Sequence, residues 1–111
     1  MRKLLLAAVV AAVFAVLAAQ ALAATRGVKI GDDYFVRQGT HPTVTVHKGT
    51  TVRWRWTGQD LHNVAVAKGP VKFRSSFKTS GSYAHKMTRV GTYRIVCTVH
   101  SGMRMTLRVT R

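Results

Sequence analysis

The feature that most constrains this chain is an alternation with a period of two. Val52, Trp54 and Trp56 are apolar, and Arg53 and Arg55 stand between them. In an extended strand successive side chains point to opposite faces, so this pattern describes a strand with one face buried and one in water. Val44 and Val46 around Thr45 repeat it. No stretch after residue 25 carries the 3.6-residue period of a helix. Instead, short runs rich in β-branched and aromatic residues are broken by Lys48-Gly49, Gly58-Gln59-Asp60, Lys68-Gly69-Pro70 and Val90-Gly91, which are turn sequences. Strands are expected over residues 27–30, 34–37, 43–47, 51–57, 63–67, 83–87, 93–97 and 105–110. Seven or eight strands at this spacing predict an all-β fold, a two-sheet antiparallel sandwich. Trp54, Trp56, Met87 and Tyr93 are expected in its core. Residues 68–82, with Phe73 and Phe77 among basic and small polar residues, read as a connection crossing between sheets, with no regular element.

The N-terminus is built differently. Arg2 and Lys3 precede an apolar run from Leu4 to Ala19, followed by Ala21-Leu22-Ala23, which offers small residues at both positions an export peptidase reads. Residues 1–24 are therefore expected to be a signal peptide, and residues 25–111 a single domain. The alternative is a retained anchor, since the run approaches the length that spans a bilayer. Both readings place the domain outside the cytoplasm, in a periplasmic or extracellular location. No cysteine lies near the boundary to accept a lipid. So small a domain buries only about 60% of its unfolded surface, so a bound metal would add useful stability.

Charge narrows the partners. The whole chain carries a formal +15, and without Arg2 and Lys3 it keeps 16 basic residues against 3 acidic ones, a net +13. Such a field favours acidic partners, attracts anionic membrane surfaces peripherally, and accelerates association in a salt-dependent way. Nucleic acid is the usual partner of so basic a domain. An exported protein rarely meets it, and the cations here are scattered rather than gathered on one stripe.

Cys97 is the only cysteine, so no internal disulfide can form even though export leads to an oxidising compartment. Alone it would read as a buried, inert thiol. Its neighbours change that reading: Cys97-Thr98-Val99-His100-Ser101-Gly102-Met103 follows directly on the run Tyr93 to Val96. A thiolate, an imidazole and a thioether within one turn of chain are the donor types of a blue-copper centre, in which two His nitrogens and one Cys sulfur form a plane and a weak Met sulfur is axial. The second imidazole must come from elsewhere, and His62, in Asp60-Leu61-His62-Asn63-Val64, offers it at the start of a strand. His41 stands before a proline in a loop, His47 at a strand end, and His85 within a strand; they are poorer candidates. Zinc is the nearest rival ion, but it prefers four strong donors and a thioether serves it poorly.

Gly91-Thr92-Tyr93, then Cys97-Thr98, His100 and Met103, with His62-Asn63-Val64 upstream, resemble the plastocyanin, pseudoazurin and amicyanin group of cupredoxins. Val44 to Val52 followed by Trp54 is similar to that group's strand, turn and tryptophan segment, and the likeness runs over residues 27–110. The short spacing between His100 and Met103 is most similar to amicyanin. The resemblance implies a Greek-key cupredoxin sandwich holding one type-1 copper through His62, Cys97, His100 and Met103. It also implies that Asn63 ties the two ligand loops together. Two features depart from the group: Val99 and Ser101 stand where proline is common, and Met105 lies at the spacing that supplies the axial sulfur in longer loops. Register favours Met103, because Leu107 and Val109 then turn inward.

By the same resemblance the expected function is one-electron transfer by a monomer that makes and breaks no bonds, with His100 as the port for electrons. Expected partners are acidic-faced redox proteins such as a c-type cytochrome or a larger redox enzyme. The alternatives are a periplasmic copper carrier or sequestering protein, an enzyme of nitrite-reductase or oxidase type, which needs further copper centres, and a metal-free structural sandwich.

Overall fold

The structure is a computed structural model that describes residues 24–111. The expected signal peptide lies outside the described residues but for Ala24. Eight strands form: β1 (Thr25–Gly31), β2 (Tyr34–Phe35), β3 (Thr43–His47), β4 (Thr51–Trp56), β5 (Ala65–Lys68), β6 (Ser82–Lys86), β7 (Gly91–Val96) and β8 (Arg104–Thr110). They assemble into two four-stranded sheets, in the orders β2-β1-β4-β6 and β3-β8-β7-β5. The expected two-sheet sandwich is present. Most pairings are antiparallel, but β1 runs parallel to β4 and β3 parallel to β8. These two neighbours are far apart in sequence, and alternation alone says nothing about direction.

The period-two reading of the sequence holds on β3, β4, β7 and β8, while β5 buries the successive residues Ala65 and Val66. Val52, Trp54 and Trp56 are buried on β4 while Arg53 and Arg55 face water. Val44 and Val46 on β3, Tyr93 and Ile95 on β7, and Met105, Leu107 and Val109 on β8 supply the facing side of one core, which also includes Val28, Ile30, Phe35 and Met87. The arginines cover the outer faces, where long charged side chains remain hydrated. The connection over residues 69–81 forms no strand; it makes isolated bridges, His62 to Lys78 and Ala65 to Arg74. Its Phe73 ring reaches into the core within 5.9 Å of Trp54.

Every strand but β3 departs from its expected bounds by one or two residues at one end or both. The strand expected over 34–37 stops at Phe35, because Val36 adopts a left-handed backbone with φ of +70°. That conformation costs a β-branched residue roughly 1–2 kcal/mol. The Val36 N–H still pairs with the Lys29 carbonyl at 2.7 Å, and the chain leaves the hairpin after that bond.

The strand order gathers several connections at one end of the sandwich: the β1–β2 turn, the stretch between β4 and β5, the β7–β8 loop and the residues before β3. His62 and Asn63 precede β5, and Cys97 follows β7, its antiparallel partner through Ala65 and Val96.

Trp54 is fully buried, and its Nε1 has no hydrogen-bond partner. Trp54→Ala is expected to cost about 3–5 kcal/mol through the cavity it opens. Trp54→Phe should cost far less, because an aromatic ring remains and a buried unpaired donor, itself worth about 1–3 kcal/mol of desolvation, is removed. Urea denaturation of both variants checks this; equal losses would show that the indole N–H contributes to stability.

Candidate metal centre

The β7–β8 loop is closed by its own backbone. Cys97 N donates to the Met103 carbonyl at 3.1 Å, and Met103 N donates to the His100 carbonyl at 3.2 Å. The second bond defines a turn over His100-Ser101-Gly102-Met103, and Gly102, with φ of +82°, occupies its third position, where a type II turn favours glycine. Cys97 and His100 are thereby held on one side of a tight loop. His62 is fixed from the other side: its N–H and C=O both pair with Lys78 at 2.9 Å, and Trp56 Nε1 donates to the same carbonyl at 3.2 Å.

Three donor atoms converge. His62 Nδ1 and His100 Nδ1 are 3.0 Å apart, and Cys97 Sγ lies 3.8 Å from the first and 3.7 Å from the second. A triangle with those sides has its centre about 2.1 Å from every corner, within the roughly 2.0–2.3 Å that a first-row metal keeps from nitrogen and sulfur. Two facing imidazole lone pairs at 3.0 Å repel unless a proton or a cation lies between them. The residues therefore fit a metal of this class. His62 and Cys97 are 1% and 5% exposed, whereas the His100 side chain is 30% exposed. The cluster is buried but has one imidazole edge at the surface.

Met103 is buried at the end of the loop that carries Cys97 and His100, and both Met103 and Met105 pack into the hydrophobic core. Met105 stands on β8 opposite Ile95, in the core. Asn63 links the two halves of the site: its Oδ1 accepts from Thr98 N at 2.8 Å and from Thr98 Oγ1 at 3.2 Å. That is the tie expected of it.

The other histidines stay outside the cluster. His47 Nδ1 lies 2.9 Å from the Arg111 carbonyl, and His85 stacks on Phe73 with centroids 4.0 Å apart, where burial pushes its pKa down. His41 comes unexpectedly near. Its Nε2 donates to the Gly102 carbonyl at 3.1 Å and its Nδ1 accepts from Arg104 Nε at 3.4 Å, so it braces the ligand loop from behind.

Sequence reasoning missed Asp32 and Asp33. Asp32 Oδ1 lies 3.4 Å from His62 Nε2, and Asp33 Oδ1 lies 3.4 Å from His100 Nε2. The Asp60 N–H, donating to Asp32, holds its carboxyl below the ordinary carboxylate range, with further help from the Gln59 N–H and His62 against the opposing effect of desolvation. Scarcity was the available signal, since the chain has only three acidic residues and two of them are adjacent.

A β-sandwich with one thiolate and two imidazoles gathered at an end is a mononuclear metal-binding protein by its donors. The model of the copper binding proteins of the plastocyanin/azurin family matches residues 28–110, and the chain belongs to that family. Its cofactor is copper, with His62, Cys97 and His100 arranged as a type-1 ligand set. Amicyanin from Paracoccus versutus is 31% identical over 77% of this chain and 80% of its own, with a TM-score of 0.63. A purple cupredoxin from Nitrosopumilus maritimus, 17% identical, shares the fold over 77% of this chain and 99% of its own at 0.65. A Cu-containing nitrite reductase from Thermus scotoductus SA-01, 22% identical, shares it over 81% of this chain at 0.64, although this chain spans only 23% of that protein. No curated protein sequence matches the chain.

Asn63→Ala leaves the Thr98 N–H without its partner and unties the loops. Copper affinity, measured by competition with a chelator, is expected to fall roughly 10- to 100-fold, as it does when outer contacts of a metal site are lost. An unchanged affinity would mean that the loops hold their spacing without this link.

Proposed function

We propose that the chain is an exported one-electron carrier in which His62, Cys97, His100 and Met103 hold a single type-1 copper. The observation that carries this reading is the donor triangle, buried except for one edge of His100. Bound copper supplies the Cu(II)/Cu(I) couple. The protein's part is rigidity: backbone bonds fix the 97–103 loop, Lys78 and Trp56 fix His62, and Asn63 joins the two, so the donors keep their places whichever charge they surround. Met103 supplies the axial sulfur, supported by its buried place at the end of the ligand loop, three residues after His100, whereas Met105 stands within β8 opposite Ile95.

His100 is the electron port. Exposed Leu61, Phe77 and Val99 lie on the three segments that surround the site: Leu61 adjoins His62, Phe77 adjoins the residue paired with it, and Val99 adjoins His100. An apolar surface around the port allows close, short-lived docking, as weak redox encounters require. The net charge of +13 steers acidic-faced partners, such as a c-type cytochrome or a larger redox enzyme, from a distance. The protein itself performs no bond chemistry, and works as a monomer outside the cytoplasm after loss of residues 1–24. Among the described residues no helix is long and apolar enough to cross a membrane.

Visible absorption and EPR of residues 25–111 loaded with Cu(II) test the reading. An intense thiolate-to-copper band with narrow hyperfine splitting is expected, and Cys97→Ser should abolish it. Met103→Leu should alter the spectrum while Met105→Leu leaves it unchanged. A colourless or ordinary nitrogen–oxygen copper spectrum would leave a copper carrier as the better reading.

The rate of electron exchange with an acidic c-type cytochrome, followed by stopped flow, is expected to fall as ionic strength rises. A rate independent of salt would rule out electrostatic steering.

A further inference from the structure

The domain has three acidic residues, Asp32, Asp33 and Asp60, against 16 basic ones, and all three lie at the copper end. Two are successive residues of the β1–β2 turn, and each faces the outer nitrogen of a different imidazole of the donor triangle. Asp32 is set firmly. Its Oδ1 accepts from Gln59 N and Asp60 N, both at 3.0 Å, its Oδ2 accepts from Gln59 N at 3.2 Å, and Oδ1 lies 3.4 Å from His62 Nε2. This approach requires glycine at position 58, where a Cβ would overlap the Asp32 carboxylate. Asp33, in a left-handed conformation (φ +71°) that aspartate tolerates in turns, places Oδ1 at 3.4 Å from His100 Nε2.

Both imidazoles turn Nδ1 toward Cys97 Sγ, so with Nδ1 given to a metal the proton must reside on Nε2, where it can be donated to a carboxylate. A carboxylate there fixes the ring orientation and makes the imidazole a stronger donor. Its negative charge also favours the more highly charged state of the ion. We propose that the Asp32-Asp33 turn orients the His62 imidazole through Asp32, sets the Asp33 charge beside His100, and holds the reduction potential of the centre down. This rests on the electron-carrier reading above.

The test compares Asp32→Asn, Asp33→Asn and Asp60→Asn. Asparagine at 32 keeps an oxygen for the Gln59 and Asp60 amides and removes only the charge. Cyclic voltammetry is expected to show a higher potential for both Asp32→Asn and Asp33→Asn with the copper spectrum retained. A tenfold change in relative preference for Cu(II) over Cu(I) appears as about 59 mV, and a shift of that order is expected at position 32. Asp60→Asn removes the same charge from a carboxylate that makes no ion pair with either imidazole and should shift the potential by less than half as much. If Asp32→Asn does not fold, the exposed Asp33 carries the same comparison. Nitrogen NMR of the copper-free protein gives an independent readout: His62 should hold its proton on Nε2 in the parent, with a proton from His100 filling the 3.0 Å gap between the two Nδ1 atoms, and should lose that preference in Asp32→Ala. Unchanged potentials, an equal shift in Asp60→Asn, or unchanged tautomers would each overturn the proposal. A parent lacking the type-1 spectrum would instead sink the electron-carrier reading, and the tautomer measurement would still decide the role of the turn.

Discussion

The site depends on a single polar link between two loops. Asn63 Oδ1 takes both the amide and the hydroxyl of Thr98, and so ties the residue after His62 to the residue after Cys97. The pairing of β5 with β7 brings the loops side by side, but a ladder positions backbones and leaves its ends free to fray. A buried amide serving two donors of the facing loop sets their separation. Asn63 is itself fully buried, so loss of its partner would leave a desolvated polar group, and this cost keeps the loops together before any ion arrives. The 3.0–3.8 Å spacing of the donors follows from that tie and from the backbone bonds within each loop.

Around this centre the chain separates its charges. Cations cover the outer faces of both sheets, where alternation places them, and carboxylates occur only beside the imidazoles. At long range a partner meets a strongly positive body. At contact it meets an imidazole edge with apolar residues near it and two exposed aspartates, Asp33 and Asp60. The long-range charge and the surface around His100 are thus set by different groups, the first screened by salt and the second much less so.

The sandwich itself was legible because its strands alternate. Val52, Trp54 and Trp56 are buried and Arg53 and Arg55 exposed for the reason the pattern implies, and the unpatterned stretch after Lys68 forms no strand before Ser82. The end of the second strand was not legible. Val36 has high strand propensity, yet it adopts a left-handed backbone just after its N–H has paired with Lys29 across the hairpin, and propensity does not register that turn. His41 lies outside the donor triangle, and its brace on Gly102 joins residues separated by 61 positions and leaves no trace in local spacing.

The amino-acid sequence by itself determined the strand pattern and the donor types, together with the tight loop that presents Cys97 and His100, because each depends on spacings within one strand or one turn. The tertiary structure decided the parallel pairing of β1 with β4 and β3 with β8, the 3.0 Å approach of His62 to His100, and the placing of Asp32 and Asp33 against the outer nitrogens. Those features join residues far apart in the chain. Their energies depend on strand order and register across the whole sandwich, and no local pattern carries that information.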